Sequence, residues 1–198
     1  VKIAADNGQI KYVANIAGIQ HVSPIEDFPM EKFDYMQRLM VRAPFYISKL
    51  TIPHMKRSKD GTGAIGNMAS AHAHICTLNK SSYNIAKFSL RALAQSISAE
   101  GEGKIRGFTI STGFVKTPLT LNQIPAQAKQ RGISEEEVVN YVMLGFSRVK
   151  DMMNPIEVAN IFMFGFSRHS RYLVGGDLLF DGGMVLTYAE LKRTQSQS

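Results

Sequence analysis

The feature that most constrains the fold is a repeated alternation of short apolar runs with long amphipathic stretches. Strand-like runs cover 11–16, 64–68, 106–111 and 172–180, and helical patterns cover 27–50 and 81–100. Further helical signals begin at Ser134 and at Pro155, where Asn154 is placed to cap the helix. This alternation is typical of parallel strands joined by right-handed helical crossovers. It predicts a single α/β domain over 1–198 with a doubly wound parallel sheet.

Composition limits the partners. The 198-residue chain is 44% hydrophobic and 20% charged, with a formal net charge of +7. The basic residues are dispersed, and the densest group, 56–59, is short and interrupted, so we expect no nucleic-acid partner. The chain shows neither a long apolar span nor a secretion signal, so we expect no membrane partner and a cytoplasmic location. The single cysteine, Cys76, excludes an internal disulfide and a Cys-rich zinc site, and we expect no metal.

Tyr83 and Lys87 are the first candidates for chemistry. They are four residues apart in the helical stretch 81–100, so both side chains project from one face of the helix. A tyrosine has an ordinary pKa of about 10, which is too high for a base at neutral pH, and a nearby ammonium favours the phenolate. We therefore expect Lys87 to supply part of the positive charge that lowers the pKa of Tyr83.

Ser70 adds a hydroxyl to this pair. It lies thirteen residues before Tyr83, at the end of the run 64–68, and open α/β sheets bind ligands at the carboxyl ends of their strands. In this context Ser70, Tyr83 and Lys87 resemble the serine, tyrosine and lysine of the short-chain dehydrogenase/reductase group. The resemblance implies a Rossmann-like fold in which these three residues are catalytic.

Four segments narrow the resemblance to the bacterial 3-hydroxybutyrate dehydrogenases, and together they extend over most of the chain. They are 15–22, 69–72, 79–83 and 114–125. The resemblance implies oxidation of 3-hydroxybutyrate to acetoacetate, with the substrate carboxylate bound by Gln20, His72, Lys80 and Gln123. Such a set is chemically sensible, because a small carboxylate needs several donors and charge-assisted hydrogen bonds are strong.

The same resemblance implies that NAD is the cofactor and that the chain forms a homotetramer. Lys87 would hold the nicotinamide ribose, Val115 and Thr117 would contact the carboxamide, and 117–130 would close as a lid. Self-association would use 81–100 and the last strand. The full set of implied cofactor contacts is Asn15, Ala17, Gly18, Tyr83, Lys87, Gly113, Val115 and Thr117.

Three positions depart from the family pattern. Ile16 replaces the second asparagine of Asn-Asn-Ala-Gly, and Thr112 replaces the proline before Gly113. Met40 stands where the family has the asparagine that holds a proton-relay water. A thioether accepts hydrogen bonds weakly and cannot donate them, so a relay from Lys87 would have to run another way.

The family's amino-terminal cofactor segment has no counterpart in the sequence. The chain begins shortly before the expected fourth strand, so we expect about sixty or more residues to be missing, including the glycine-rich turn for the pyrophosphate. The run 61–66 does match G-x-G-x-x-G. We reject it as a phosphate loop because it precedes a strand instead of following one.

Three functional hypotheses remain. The first is an NAD-dependent 3-hydroxybutyrate dehydrogenase, and the second is another short-chain reductase, such as one acting on a 3-oxoacyl thioester. The third is an inactive, degenerate relative that persists as an assembly partner. The carboxylate-binding set favours the first over the second, since a thioester has no free carboxylate. Met40 and the missing glycine turn favour the third.

Overall fold

The computed structural model describes residues 1–186, apart from the side chain of Gln130, so positions 187–198 of the predicted domain lie outside it. Within that range, four parallel strands form one sheet in the order β1-β2-β3-β4. The strands are β1 (Tyr12–Asn15), β2 (Gly63–Met68), β3 (Ile105–Thr112) and β4 (Asp177–Phe180). The predicted parallel α/β sheet is confirmed.

The helices follow the predicted alternation. They are α1 (Lys2–Asp6), α2 (Met30–Gln37), α3 (Ala43–Lys56), α4 (Ser81–Glu100), α5 (Pro118–Leu121), α6 (Ile124–Arg131), α7 (Glu135–Glu137) and α8 (Pro155–Phe166). Two π-helical turns, Arg38–Arg42 and Val138–Met143, and two 3₁₀ turns, Ala71–Ala73 and Arg168–Ser170, complete the set. In residues 1–186, none of these helices combines the length and the apolar character needed to cross a bilayer.

Helices cover both faces of the sheet. On one face, Ile97 of α4 packs with Ile105 of β3 in a cluster that also includes α3. On the other face, Phe162 of α8 packs with Phe108 of β3. Because successive strand residues point to opposite faces, the odd and even positions of β3 supply the two cores separately. The sheet is therefore doubly wound, as predicted.

The last crossover differs from the one before it. The strand order advances in one direction, but the connecting helix changes from α4 on one face to α8 on the other. Both crossovers lead to the next strand in the same direction, but their helices lie on opposite faces of the sheet, so the two crossovers have opposite hands. The prediction that every crossover is right-handed is therefore wrong. The right-handed rule reflects a twisted strand that leads directly into its helix, whereas the long segment 113–154 separates β3 from α8.

The last strand is shorter than predicted. The pattern predicts a strand over 172–180, whereas β4 begins at Asp177. The guanidinium of Arg106 donates to the carbonyls of Ser170 and Leu173 at 3.0 and 3.1 Å. Within the predicted run, the Leu173 carbonyl therefore faces a side chain, and backbone bonds to β3 begin only at Gly175, whose N–H donates to the Gly107 carbonyl at 2.8 Å. The run 61–66 leads into β2, so its rejection as a phosphate loop is confirmed.

The close approach of β3 to α4 depends on Gly107. A Cβ at this position would lie 2.3 Å from the carbonyl oxygen of Ala94. Ser98 closes the contact, because its hydroxyl donates to the Gly107 carbonyl at 3.0 Å and accepts from the Gly107 N–H at 2.8 Å. Only a residue without a side chain fits here.

We expect Gly107→Ala to lower the free energy of unfolding by about 2 kcal/mol, because the backbone of α4 would have to move. Urea unfolding followed by circular dichroism measures this change. The control is Gly8→Ala, where a Cβ meets no atom within 4 Å. We expect that variant to stay within about 0.5 kcal/mol of the parent chain, and equal stability of the two variants would contradict the packing argument.

Candidate active site

Ser70 enters a tight turn directly after β2, at the carboxyl edge of the sheet. Its hydroxyl accepts from the backbone N–H of His72 at 3.3 Å and so caps the 3₁₀ turn Ala71–Ala73. The N–H of Ala69 donates to the carbonyl of Ile110 at 2.8 Å, which holds the start of the turn against β3.

The other end of this turn is held by β4 and α4. His74 Nε2 lies 2.7 Å from a carboxylate oxygen of Asp177. Arg91 of α4 donates to the carbonyl of Ala73 at 2.9 Å. Three elements of the fold therefore position the turn that carries Ser70.

Tyr83 and Lys87 approach Ser70 from the first two turns of α4. Lys87 is 3% exposed, and its Nζ donates to the Met68 carbonyl at 2.7 Å. The same Nζ lies 5.3 Å from the centroid of the Tyr83 ring. Burial lowers the pKa of Lys87 to about 8. The structure thus brings the predicted phenol, ammonium and hydroxyl to one place at the sheet edge.

The pKa of Tyr83 shifts opposite to the direction expected from the sequence. Burial raises the pKa of the phenol, and the neighbouring Ser70 hydroxyl opposes this rise. The ammonium of Lys87 is directed at the Met68 carbonyl instead of at the phenol oxygen. The lowering of this pKa by Lys87 together with a cationic nicotinamide ring stays a prediction.

His72 has a hydroxyl beside each ring nitrogen. Its Nδ1 lies 3.2 Å from Ser70 Oγ, and its Nε2 lies 2.9 Å from Thr77 Oγ1. Burial, followed by the positive charges of Lys80 and Lys87, lowers the pKa of His72 to about 4. The ring is therefore neutral at neutral pH.

The four residues predicted to bind a carboxylate line one small cavity beside Ser70 and Tyr83. Its volume is about 60 Å³. Gln20, His72, Lys80 and Gln123 all contribute to its walls. The structure therefore brings this set together, although the roles of its members stay predictions.

The polar members of the set differ in their availability to a ligand. The side-chain nitrogen of Gln20 is buried and has no hydrogen-bond partner among the described residues. The side-chain nitrogen of Gln123 donates to the carbonyl of Leu119 and must leave it to reach a ligand. Burial lowers the pKa of Lys80.

Phe114, Leu119 and Met184 add apolar walls that the sequence analysis does not single out. Met184 reaches the cavity because the carboxylate of Asp181 accepts from the N–H of Gly183 at 2.9 Å and from the N–H of Val185 at 2.7 Å. Met184 lies in the turn at 182–185, just after β4. Only the tertiary structure places that turn opposite Ser70.

The cofactor positions predicted after β1 lie on the neighbouring part of the sheet edge. Asn15 is buried, and its side-chain nitrogen donates to Asn67 Oδ1 at 2.8 Å. Ala17 is exposed in the loop that follows β1. A Cβ on Gly18 would lie 3.6 Å from Lys87 Nζ, an ordinary contact distance, so the loop after β1 passes close to the ammonium.

The cofactor positions predicted after β3 lie in a loop with defined backbone contacts. A Cβ on Gly113 would lie 2.9 Å from the Asp181 carbonyl oxygen, so the approach to Asp181 requires a glycine. Val115 forms a parallel bridge with Met153. The N–H of Thr117 donates to the Val115 carbonyl at 2.7 Å. Val115 and Thr117 are therefore ordered neighbours of the cavity and not part of its walls.

The three departures from the family pattern lie in different environments. Met40 is fully buried in the π-helical turn Arg38–Arg42, and its sulfur lies 3.6 Å from the Cβ position of Gly18, close to Lys87. Thr112 is buried and lines the cavity. Ile16 is 58% exposed. Of the three, Met40 is the one whose side chain, like that of Lys87, reaches the Cβ position of Gly18.

Comparisons with known proteins agree on one family. The family model described as Enoyl-(Acyl carrier protein) reductase matches residues 1–185. The chain is 36% identical over 177 residues to a D-beta-hydroxybutyrate dehydrogenase of Rhizobium meliloti, covering 89% of this chain and 68% of that protein. A D-beta-hydroxybutyrate dehydrogenase of Cupriavidus necator is 32% identical over 182 residues, which cover 91% of this chain and 70% of that protein. The structure is similar to that of sorbitol-6-phosphate 2-dehydrogenase from Erwinia amylovora, with a TM-score of 0.86 and 26% identity. The match covers 92% of this chain and 72% of that protein.

The environment of His72 predicts a pH dependence of stability. Its pKa is about 4 in the folded chain against an ordinary 6.5, so the unfolded chain binds more protons between these values. The contribution of His72 to the free energy of unfolding is therefore complete above pH 6.5. It is lost as the pH falls to about 4, and the free energy of unfolding then decreases by about 3 kcal/mol.

Urea unfolding at a series of pH values should show this loss in the parent chain and not in His72→Gln. The control is His169→Gln, at an exposed residue, which should keep the pH dependence of the parent chain. Parallel stability curves for His72→Gln and the parent chain would contradict the assignment.

Proposed function

The chain belongs to the short-chain dehydrogenase/reductase family, and we propose that it oxidises 3-hydroxybutyrate to acetoacetate with NAD. The observation that carries the proposal is the convergence of Ser70, Tyr83 and Lys87 at the mouth of a cavity lined by amide and ammonium donors. The named dehydrogenases at 36% and 32% identity support the same substrate.

In the proposed oxidation, each side chain of the site has a separate role. A bound nicotinamide nucleotide would supply the acceptor for the hydride from the substrate carbon. The Tyr83 phenolate takes the hydroxyl proton, and Ser70 donates a hydrogen bond to the substrate oxygen. Lys87, held on the Met68 carbonyl, supplies positive charge near the phenolate. Lys80 and Gln20 hold the carboxylate, which places the reacting carbon at Tyr83.

The described residues fit one end of a nicotinamide nucleotide. Gly18, in the loop after β1, lies close to Lys87, which would hold the ribose, and Val115 and Thr117 would contact the carboxamide. In residues 1–186, no G-x-G-x-x-G turn follows a strand and begins a helix, so these residues show no such site for the pyrophosphate. The preference for NAD over NADP is part of the proposal.

Two alternatives each have a specific observation in their favour. A reductase of acyl thioesters, the class to which 3-oxoacyl thioesters belong, is favoured by the description of the matching family model, which names an enoyl-(acyl carrier protein) substrate. A non-catalytic relative is favoured by the buried thioether of Met40 beside Lys87, where the family pattern has an amide. The experiments below separate both from the proposed oxidation.

We also propose that the chain forms a homo-oligomer through α4 and β4. Both elements carry large apolar side chains that are exposed in the single chain. These are Ile85 and Phe88 on α4, and Leu179 and Phe180 on β4. Burial of such patches against a second copy is favourable, which supports the self-association that the family resemblance implies.

We expect Tyr83→Phe to lower kcat for 3-hydroxybutyrate with NAD by about a thousandfold or more, because the ring stays and the acid–base group is lost. Absorbance of the reduced nicotinamide at 340 nm measures the rate. The matched control is Tyr35→Phe, at a half-exposed tyrosine of α2, which should keep the parent rate. Full turnover by Tyr83→Phe would refute the proposed mechanism, and no turnover by the parent chain would favour the non-catalytic alternative.

Substitution of Lys80 tests the substrate class. We expect Lys80→Met to raise KM for 3-hydroxybutyrate by about 10- to 100-fold with little change in kcat, because a charge-assisted hydrogen bond to the carboxylate is lost. KM for the methyl ester should not change, since the ester carries no charge. The control is Lys104→Met, at an exposed lysine before β3. Equal effects on acid and ester, or faster turnover of an acetoacetyl thioester, would favour the thioester reductase.

A further inference from the structure

The proposed oxidation leaves a proton on Tyr83 in each turnover, and that proton must reach solvent. Among the described side chains, Lys87 does not begin a continuous hydrogen-bonded path that could carry this proton to solvent. Its Nζ is buried and donates to the Met68 carbonyl, and the neighbouring side chain at Met40 is a thioether. A thioether cannot donate and accepts only weakly, so it cannot pass a proton onward.

A row of hydrogen-bonding groups leads from Tyr83 in the other direction. Ser70 Oγ lies beside the phenol and 3.2 Å from His72 Nδ1. The opposite nitrogen of the same ring, Nε2, lies 2.9 Å from Thr77 Oγ1. Thr77 is exposed. The row therefore connects the reacting phenol to solvent through two hydroxyls and one imidazole.

The far end of the row is positioned by the helix that carries Tyr83. The carbonyl of Thr77 accepts from the side-chain nitrogen of Asn84 at 3.2 Å. Asn84 is buried and directly follows Tyr83 in α4. One rigid element thus holds both the phenol and the residue at which the row meets water.

We propose that Ser70, His72 and Thr77 conduct the Tyr83 proton to solvent, an inference that rests on the proposed oxidation. Tyr83 passes its proton to Ser70 Oγ, and Ser70 passes its own proton to His72 Nδ1. The ring then releases its Nε2 proton to Thr77 Oγ1, and Thr77 releases its proton to water. Each group gains one proton and loses one, and no electrons move.

After these proton transfers, Tyr83 and His72 differ from their starting states. Tyr83 becomes the phenolate that takes the next hydroxyl proton from the substrate. His72 changes from the Nε2–H to the Nδ1–H tautomer. When the product leaves, water in the cavity that His72 and Ser70 line takes the Nδ1 proton through Ser70, and Thr77 returns a proton from solvent to Nε2, which restores the first tautomer. A neutral imidazole is required, since it must accept at one nitrogen and donate at the other. The lowered pKa of His72, about 4, keeps it neutral at neutral pH.

The relay also changes the role assigned to His72 by family resemblance. With Ser70 beside one ring nitrogen and Thr77 beside the other, the ring uses both nitrogens within the row. Carboxylate binding then falls to Gln20, Lys80 and Gln123. Thr77 touches neither substrate nor cofactor in this scheme, so it acts through His72 and Ser70.

Thr77→Val tests the relay, because it removes the hydroxyl and keeps the shape of the side chain. We expect kcat for 3-hydroxybutyrate to fall about tenfold with KM unchanged, and the solvent deuterium isotope effect on kcat to rise. Thr77→Ser, which restores a hydroxyl, should recover the parent kcat. The matched control is Thr62→Val, whose hydroxyl contacts Lys11 just before β2, away from the site.

An active parent chain with unchanged kcat and isotope effect in Thr77→Val would overturn the relay and leave the proposed oxidation in place. If the parent chain is inactive, the proposed oxidation fails, and ¹⁵N NMR of the His72 ring decides whether the row exists. Thr77→Val should then shift the Nε2 resonance, and Ser70→Ala should shift the Nδ1 resonance. Unchanged resonances in both variants would overturn the relay.

Discussion

The hydrogen bond from the Lys87 ammonium to the Met68 carbonyl is the contact on which the site depends. A buried charge is costly without a partner, so α4 cannot slide along β2 without exposing the ammonium or leaving it unpaired. Tyr83 precedes Lys87 by one helical turn, and Ser70 follows Met68 by two residues. A single 2.7 Å contact therefore sets how the phenol meets the hydroxyl.

Polar contacts at the carboxyl edge of the sheet position the remaining residues of the site. The turn after β2 is held by a β3 carbonyl, by Arg91 of α4 and by the His74–Asp177 pair. These contacts leave His72 between two hydroxyls, with its pKa lowered by burial and by two neighbouring lysines. The same packing that stabilises the fold thus prepares a neutral imidazole for proton transfer.

Local patterns predicted the long elements well. The bounds of α4 coincide with the helical periodicity over 81–100, because its apolar residues repeat on one face and nothing interrupts them. The predicted last strand was too long, since the carbonyl of Leu173 near its start accepts from the Arg106 side chain and backbone bonds to β3 begin only at Gly175. The hand of the last crossover was also missed, because it depends on how a long connecting segment crosses to the other face.

The sequence by itself determined the alternation of strands and helices, the spacing of Tyr83 and Lys87 on one helical face, and the position of Ser70 after a strand. These follow from interactions between residues close along the chain, which periodicity and spacing record. Only the tertiary structure decided that Thr77 and Met184 belong near the site, and that burial raises the pKa of Tyr83. Burial and contacts between distant segments exist only once the chain has packed, so no local pattern contains them.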